Sequence, residues 1–306
     1  MCSIYKMIGV LQCAGFCHNK NDIGMQLMTS SIGAEYVKTS DPTRYSEDWD
    51  IVFVPSGYIG PEKFPNARRI IYGPHNFVFP EGKWLNLDFT ADKRIFYNVL
   101  SKWNYDVHNE TSGFSKNMNM AVLPFAVDVD RFKPAESKVY ERDCFIYFKA
   151  RDSSHLEYVK HLCAEKGLTY TVISYGSYNE EHYRHVLNTS KFGIWIGCHE
   201  SQGFGLQEAL SMNVPLVVWN ARSMFYEMNG GGRKQYGHLE GRYKLESTSA
   251  TSWDETCGLL ADESTIGDCI GRMAVEYGKY GGREFVVREL SAEVCMGRWL
   301  EAGLKK

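Results

Sequence analysis

Short apolar runs alternate with helix-like stretches along this chain, and this alternation is the feature that most constrains its fold. In the first part of the chain the runs are rich in β-branched residues and close on a glycine, a proline or a polar turn; they lie at 7–11, 50–55, 69–73 and 120–124. Such runs are typical of strands buried on both faces of a parallel sheet. Met25, Met28 and Ile32, between two of the runs, follow helical spacing. The pattern predicts an α/β fold with a parallel sheet.

The same rhythm starts again after a polar stretch at 128–142. Further apolar runs lie at 144–148, 170–176, 192–197 and 215–219. A chain of 306 residues is long enough for two domains of about 150 residues. We therefore predict two similar α/β halves that face each other across a cleft, an N-terminal domain at 1–130 and a C-terminal domain at 131–284. An amphipathic helix at 285–306, with Val287, Leu290, Val294, Trp299 and Leu300 on one stripe, is expected to pack back on the N-terminal domain.

Composition excludes several classes of partner. The net charge of -3 and the absence of a basic stripe argue against nucleic acid. No apolar run approaches the ~20 residues that span a bilayer, and the first residues lack the features of a signal peptide. The nine cysteines are an odd, scattered set, which is typical of reduced thiols in a cytoplasmic protein. Cys13 and Cys17 lack the second pair that a zinc site needs, so no metal site is predicted.

The most informative stretch lies at 199–219, between two predicted strands. Gly203 and Gly205 open a predicted helix and let the backbone approach a ligand closely. The free N–H groups and the positive dipole end of that helix favour a phosphate. Glu200 precedes the turn and Glu208 lies about one turn inside the helix. Both carboxylates are suited to bind vicinal hydroxyl groups of a ribose or another sugar.

This stretch resembles the retaining GT-B glycosyltransferases, and glycosyltransferase family four in particular. Glu200 and Glu208 match the Glu-x7-Glu signature of that family, and residues 208–218 are similar to its Glu-Ala-Met-Ala-x-Gly-x-Pro-Val-Val element. Residues 123–134 resemble the interdomain segment of the family, and 256–260 resemble its Thr-Gly-Leu-Leu element. The resemblance covers about 120–300, and the N-terminal half is similar only in its strand–helix rhythm. It implies two Rossmann-like domains and a nucleotide sugar as donor.

The resemblance also implies roles for individual residues. Glu208 would bind the nucleotide ribose, and Glu200 would contact the transferred sugar. Lys149 and Arg151 would neutralise the diphosphate, although a surface charge pair is an alternative for them. The backbone amides of Gly203, Phe204, Gly205 and Leu206 would hold the donor sugar and phosphate. His75, in Gly73-Pro-His-Asn-Phe, is the candidate for the histidine that lines the sugar site; the alternative is a turn residue fixed by Pro74.

This sequence departs from the family pattern at several positions. Ser201 and Gln202 stand between the first glutamate and the Gly-Phe-Gly turn, and Asn213 replaces a common glycine. The loop at 17–24 corresponds to the acceptor loop of the family, so Asn21, Asp22 and Gly24 are predicted to line the acceptor side. The glycine-rich stretch at 228–248 is predicted to be a loop, either a lid or a surface excursion.

Together these observations predict a metal-independent retaining glycosyltransferase of hexoses or pentoses without a cofactor. Its donor would be a UDP- or GDP-sugar, and its acceptor a hydroxyl group of a glycan or glycoconjugate. A sugar-nucleotide epimerase of the same fold and a catalytically degenerate carbohydrate-binding protein are the alternatives. A phosphorylase would need a pyridoxal-phosphate lysine, which the sequence does not identify. Contact with a membrane is left open, although no basic patch supports it.

Overall fold

The computed structural model describes residues 9–13, 15–74, 87–112, 116–223 and 246–302. The chain divides into two compact units, the first formed by Met1–Ala126 with Leu290–Lys306 and the second by Val127–Glu289. The fold class predicted from the strand–helix rhythm is confirmed: each unit is a parallel sheet with helices.

The first unit is built on a six-stranded parallel sheet in the order β2-β1-β3-β4-β5-β6. Its strands are β1 (Val10–Cys13), β2 (Tyr36–Thr39), β3 (Ile51–Val54), β4 (Arg69–Tyr72), β5 (Ile95–Val99) and β6 (Met120–Val122). The helices of this unit are α1 (Asn19–Ser31), α2 (Lys102–Ser112) and, at the far end of the sequence, α8 (Ala292–Glu301). All residues of β1, β3 and β5 are buried, which is why these strands appear in the sequence as continuous apolar runs.

The second unit is built on a five-stranded parallel sheet in the order β11-β10-β9-β7-β8. Its strands are β7 (Arg142–Lys149), β8 (Tyr170–Ser174), β9 (Ser190–Gly197), β10 (Leu216–Trp219) and β11 (Gly258–Ala261). Its helices are α3 (Ser153–Glu165), α4 (Glu180–Thr189), α5 (Phe204–Ser211), α6 (Ile266–Glu276) and α7 (Gly282–Leu290). A core of buried residues from β7, β9, β10, α3 and α6 occupies one face of this sheet.

The prediction of one helix over 285–306 is wrong in its detail. The backbone of Ser291 is extended, with φ -66° and ψ 162°, so the segment forms two helices, α7 and α8. The helical period restarts at this break, and Cys295, Met296 and Trp299 are the buried residues of α8. Val287 lies on α7 and is 40% exposed. A single stripe through Val287 and Trp299 therefore does not form.

The last helix completes the core of the first unit, as predicted. It packs on α1, and the Trp299 side chain is fully buried. The Trp299 ring centroid lies 5.4 Å from that of Phe53 and 5.3 Å from that of Phe125. Aromatic contacts of this kind each add about 0.5–1.5 kcal/mol beyond the area they bury.

The carboxyl end of α5 is held by two cations of the second unit. Arg283 donates to the backbone oxygen of Ser211 at 2.8 Å, and Lys138 Nζ donates to that of Met212 at 2.8 Å. Cations at this end of a helix satisfy its free carbonyl groups and oppose its dipole. The position of α5 is thus fixed from behind, and its amino end lies at the edge described next.

Candidate functional site

The strand order of the second unit reverses between β7 and β9, and three residues predicted to bind the donor lie at this reversal. β7 is the first strand of the unit, and its neighbours in the sheet are β8 and β9. Ligands of open α/β sheets bind at the carboxyl ends of the strands at such a point. Lys149 ends β7 and Arg151 follows it, whereas Glu200 follows β9. The three side chains therefore share one edge of the sheet.

Lys149 and Glu200 form an ion pair at this edge. Lys149 Nζ lies 2.7 Å and 2.8 Å from the two carboxylate oxygens of Glu200. The side chains are only 19% and 11% exposed. The ring of Tyr175, which follows β8, lies 4.5 Å from the Lys149 ammonium. When one partner of such a poorly solvated pair is lost, the folded protein is strongly destabilised.

Burial and pairing both shift the pKa values of this pair. Burial raises the pKa of the Glu200 carboxyl, and the Lys149 ammonium opposes that rise. For Lys149, burial lowers the pKa, but the charge and hydrogen bonds of Glu200, together with Cys198 and Tyr175, outweigh burial, so the pKa lies above its usual value. Each group thus depends on its partner to stay charged in the folded protein.

Arg151 lies beside this pair and points to the end of β9. Its guanidinium donates to the backbone oxygen of Gly197 at 3.3 Å and lies 5.5 Å from the ring centroid of Trp219. Ala150, between the two cations, has a φ of 51°, an uncommon conformation for a residue with a side chain. This bend places Lys149 against Glu200 and Arg151 against Gly197. Both predicted phosphate-binding cations therefore lie at the strand-order reversal.

The first turn of α5 supplies backbone N–H groups to the same edge. Gly203 is the N-cap residue with a φ of 83°, a conformation that glycine adopts without strain. The amides of the first helical turn, at Phe204, Gly205 and Leu206, have no partner inside a helix and are suited to an anion. The Gln202 side-chain amide donates to Gln207 Oε1 at 3.2 Å, and Gln207 Nε2 donates to the backbone oxygen of Gln202 at 2.8 Å. Gln202, one of the two extra residues before the turn, is thus part of the cap.

Two stacked aromatic rings lie against this turn and explain why position 205 is a glycine. Tyr147 and Trp195 stack with ring centroids 3.7 Å apart and planes 4° apart. A Cβ at position 205 would lie 3.2 Å from the Trp195 ring, so a side chain here would push the helix turn away from that ring. Tyr183 donates from its hydroxyl group to the Gly205 oxygen at 2.8 Å.

Glu208, the second glutamate of the predicted pair, lies on the second turn of α5 and is 5% exposed. Its negative charge contributes, after burial and Tyr178, to the raised pKa of Tyr183. Among the residues that the structure describes, both glutamates are thus largely buried. Neither is a solvated surface residue.

Sequence reasoning missed the segment Thr248–Thr251, which is hydrogen-bonded to the site. The Glu200 amide donates to the Thr248 oxygen at 3.0 Å. Ser249 Oγ donates to the Gly197 oxygen at 3.2 Å and accepts from the Ala221 amide at 3.1 Å. This segment holds the ends of β9 and β10 together. A run of serine and threonine, at 247–252, was the available signal.

His199, next to Glu200, is expected to make the stability of the protein depend on pH. Burial, and then the charge of Lys149, lower its pKa from 6.5 to about 4. Between these values the unfolded chain binds a proton that the folded chain does not, so stability falls as the pH falls. We expect the free energy of unfolding to drop by about 2 kcal/mol from this group between pH 7 and pH 5. Urea titrations of wild type and His199→Gln measure it: the variant should lose this part of the drop, and His182→Gln, at an exposed position, should keep it.

Three predicted residues on the acceptor side lie on a helix, so the prediction of a loop at 17–24 is wrong. His18 caps α1 by accepting from the Lys20 amide at 3.3 Å, and the helix begins at Asn19. Asn21 and Gly24 are buried in α1. Asp22 is bonded to Lys38 at 2.6 Å and to Tyr36 at 2.9 Å. The Asp22 side chain thus serves contacts inside the first unit.

Two predictions fall wholly or largely on residues outside those described. His75 is one, and most of the stretch at 228–248 is the other. Glu246, near the end of the second stretch, is described and forms an antiparallel bridge with Ser223, which precedes that stretch. Within the described ranges, no group of His, Cys, Asp and Glu side chains is arranged to hold a metal ion. None of the helices in those ranges has the length and apolarity to cross a membrane.

Comparison with known proteins places this geometry in a known fold. No protein-family model matches the sequence, and no curated protein matches it. Among solved structures, sucrose-phosphate synthase from Thermosynechococcus elongatus matches with a TM-score of 0.56 at 10% identity, over 95% of this chain and 97% of that one. A point mutant of S. aureus TarM, in complex with fondaparinux, α-GlcNAc-glycerol and UDP, matches with a TM-score of 0.49 at 14% identity, over 83% of this chain.

This chain spans 55% of the TarM chain. The catalytic domain of starch synthase IV from Arabidopsis thaliana, bound to ADP and acarbose, matches with a TM-score of 0.48 at 9% identity, over 95% of this chain and 78% of that one. The match to sucrose-phosphate synthase covers both sheets and nearly the whole of each chain. The chain therefore has the two Rossmann-like domains of the GT-B glycosyltransferase fold.

Proposed function

We propose that this chain is a retaining glycosyltransferase of the family-four type, which transfers a hexose or pentose from a nucleotide-diphosphate sugar to a hydroxyl group of a glycan or glycoconjugate. The observation that carries the proposal is the convergence of Lys149, Arg151, Glu200 and the amino end of α5 at the strand-order reversal of the second unit. Cations, a buried carboxylate and free backbone amides are the groups that a sugar diphosphate needs.

The departing diphosphate is the part of the donor that gains negative charge during transfer. Lys149, Arg151 and the amides of Phe204–Leu206 are already fixed at one edge of the sheet, so they need little reorganisation to stabilise it. In this proposal these groups perform the neutralisation that a metal ion provides in other transferases. Activity is accordingly expected to be insensitive to EDTA.

Glu200 would bind hydroxyl groups of the transferred sugar. Its carboxylate is held by Lys149 at 2.7 Å and 2.8 Å, and its amide is held by the Thr248 oxygen at 3.0 Å. An ammonium has three donors, so Lys149 can keep Glu200 while it also binds a phosphate oxygen. Glu208 would bind the ribose from the second turn of α5.

Retention of configuration would follow from attack on the face that the diphosphate leaves. The acceptor hydroxyl oxygen forms the bond to the anomeric carbon while the bond to the diphosphate oxygen breaks. A phosphate oxygen of the leaving group takes the hydroxyl proton, so no separate base is needed. We also propose a cytoplasmic location, since the cysteines at the described positions are free thiols.

A thermal-shift panel tests the donor site first. UDP, GDP, ADP and their sugars are added to wild-type protein with and without EDTA. A ligand that binds only the folded state raises stability by about 2.7 kcal/mol at a hundredfold excess over its Kd. We expect one nucleotide class to raise the melting temperature equally in both conditions. If no nucleotide raises it, the transferase proposal fails; if the shift needs a metal, its metal-independent part fails.

The reaction itself is tested with the donor that this panel selects. The products are followed by NMR of the anomeric proton, with and without candidate glycan acceptors. Transfer with retained configuration is the expected result. Conversion of the donor sugar to an epimer without any acceptor would identify an epimerase instead, and binding without turnover under all conditions would identify a degenerate carbohydrate-binding protein.

A further inference from the structure

A groove of about 500 Å³ lies in the first unit, whereas the residues assigned above to the donor belong to the second. It runs between α1 and β2, the edge strand of the six-stranded sheet. Its lining is formed by Gln26, Thr29, Ser30, Ala34, Tyr36 and Lys38. A cavity of this size is in the range of small-molecule sites.

The two walls of the groove come from α1 and β2. Tyr36 and Lys38 are two residues apart on β2 and therefore point to the same face of the sheet. Gln26 and Ser30 are one helical turn apart on α1 and exposed. The helix ends at Ser31, and the chain turns through Gly33, with a φ of 66°, before β2 begins. Ala34, at the start of the return, leaves space between the walls.

Asp22 holds three of the lining side chains in place. Its carboxylate accepts from Lys38 Nζ at 2.6 Å, from the Tyr36 hydroxyl at 2.9 Å and from Gln26 Nε2 at 3.2 Å. The Tyr36 hydroxyl also lies within hydrogen-bonding distance of Gln12, a buried residue of β1. Side chains that are fixed before binding lose little conformational entropy when a ligand arrives. The groove is therefore preorganised.

The charges around the groove select the class of ligand. Lys38 is the cation of the lining, and Asp22 already neutralises it at 2.6 Å. The lining residues that the structure describes include no second cation, whereas Arg151 accompanies the Lys149–Glu200 pair in the second unit, so a phosphate or carboxylate gains no net attraction here and is repelled by the Asp22 carboxylate. A neutral ligand with many hydroxyl groups is not repelled, and it can bond to the amide of Gln26, the hydroxyl of Ser30 and the ammonium of Lys38. Tyr36 adds an aromatic ring to the same lining.

We propose that this groove binds a neutral saccharide of one or two units, at a site separate from the donor site. The proposal rests on the groove alone and does not depend on the transferase activity. Its ligand is recognised without a nucleotide. The contacts that the geometry assigns are hydroxyl groups against Gln26, Ser30 and Lys38, and the C–H face of a sugar ring against Tyr36.

Ligand-observed saturation-transfer NMR tests the proposal with the full chain and no nucleotide. The probes are maltose, lactose, sucrose and the methyl glycosides of glucose, galactose and mannose; inorganic phosphate competes in a parallel series. Ser30→Trp fills the groove from an exposed helix position. Ala164→Trp is its matched control, since Ala164 is likewise exposed and lies next to the last residue of α3, the helix that follows the first strand of the second unit.

We expect at least one saccharide to give a signal with wild type and with Ala164→Trp, and at least a tenfold weaker signal with Ser30→Trp. Gln26→Ala, an exposed truncation that leaves the fold intact, should weaken the same signal severalfold. The proposal fails if no saccharide binds, if Ser30→Trp binds as wild type does, or if phosphate displaces the saccharide. The nucleotide thermal shift should be unchanged in Ser30→Trp, so failure here and failure of the donor site are distinguishable.

Discussion

Lys149→Met is expected to lower the free energy of unfolding by about 3–5 kcal/mol, the cost of leaving one partner of a buried ion pair uncompensated. The Glu200 side chain, 11% exposed, would lose the ammonium that lies 2.7 Å away. Transfer should fall by about 10²–10³-fold as well, because one preorganised charge opposite the leaving diphosphate is lost. Urea unfolding measures the first effect, and initial rates at saturating donor measure the second.

A second substitution separates these two effects. Lys149→Met combined with Glu200→Met removes both charges, so we expect it to recover most of the lost stability while the activity stays low. Lys160→Met is the matched control: Lys160 pairs with Glu157 at 2.7 Å, but the side chains are 31% and 68% exposed. Its loss should cost less than about 1 kcal/mol. If Lys149→Met keeps wild-type transfer rates, Lys149 does not act on the diphosphate.

Glu208→Ala is expected to weaken nucleotide binding by about 10–150-fold, which corresponds to the 1.5–3 kcal/mol of hydrogen bonds to a charged group. The reason is that Glu208 is only 5% exposed, so neither water nor a neighbouring side chain can easily take the place of its carboxylate. Isothermal calorimetry with the nucleotide selected by the thermal-shift panel measures the affinity. Glu181→Ala, at an exposed position in the first turn of α4, is the control and should bind as wild type does.

A nucleotide without ribose hydroxyl groups makes this test specific. If Glu208 binds the ribose, the 2′,3′-dideoxy nucleotide should bind wild type as weakly as the full nucleotide binds Glu208→Ala. The variant should then bind both nucleotides alike. An equal loss on removal of the hydroxyl groups in wild type and variant would contradict the assignment, since Glu208 would then act elsewhere.

The parts of the fold that the sequence predicts are those with a strong local signal. Residues 51–54 and 216–219 are continuous apolar runs because both faces of the strands are buried, and the structure confirms both strands. The turn at the start of α5 is similar: Gly203 and Glu208 lie in a short segment, and the helix between them fixes their geometry. The local sequence pattern and the structure agree there, so the segment alone was sufficient to predict the helix.

The errors arise where distant contacts override the local pattern. The family resemblance predicts a loop at 17–24, yet a cap from His18 and the packing of Gly24 against Phe125 favour a helix. The Thr248–Thr251 segment has no periodic signal, because its bonds reach residues as distant in sequence as Gly197. The ion pair between Lys149 and Glu200 also joins two strand ends that are 51 positions apart. Pair contacts at that range leave no trace in spacing.

The return of α8 to the first unit has a consequence for protein synthesis. The second unit, Val127–Glu289, is one continuous piece of chain, and its core is complete once those residues have left the ribosome. The first unit waits for Trp299, which fills its core beside Phe53 and Phe125. Domains of most chains form from the amino end first. Here the later-made unit can be finished earlier, and the apolar sheet surface that Trp299 covers must stay soluble until then.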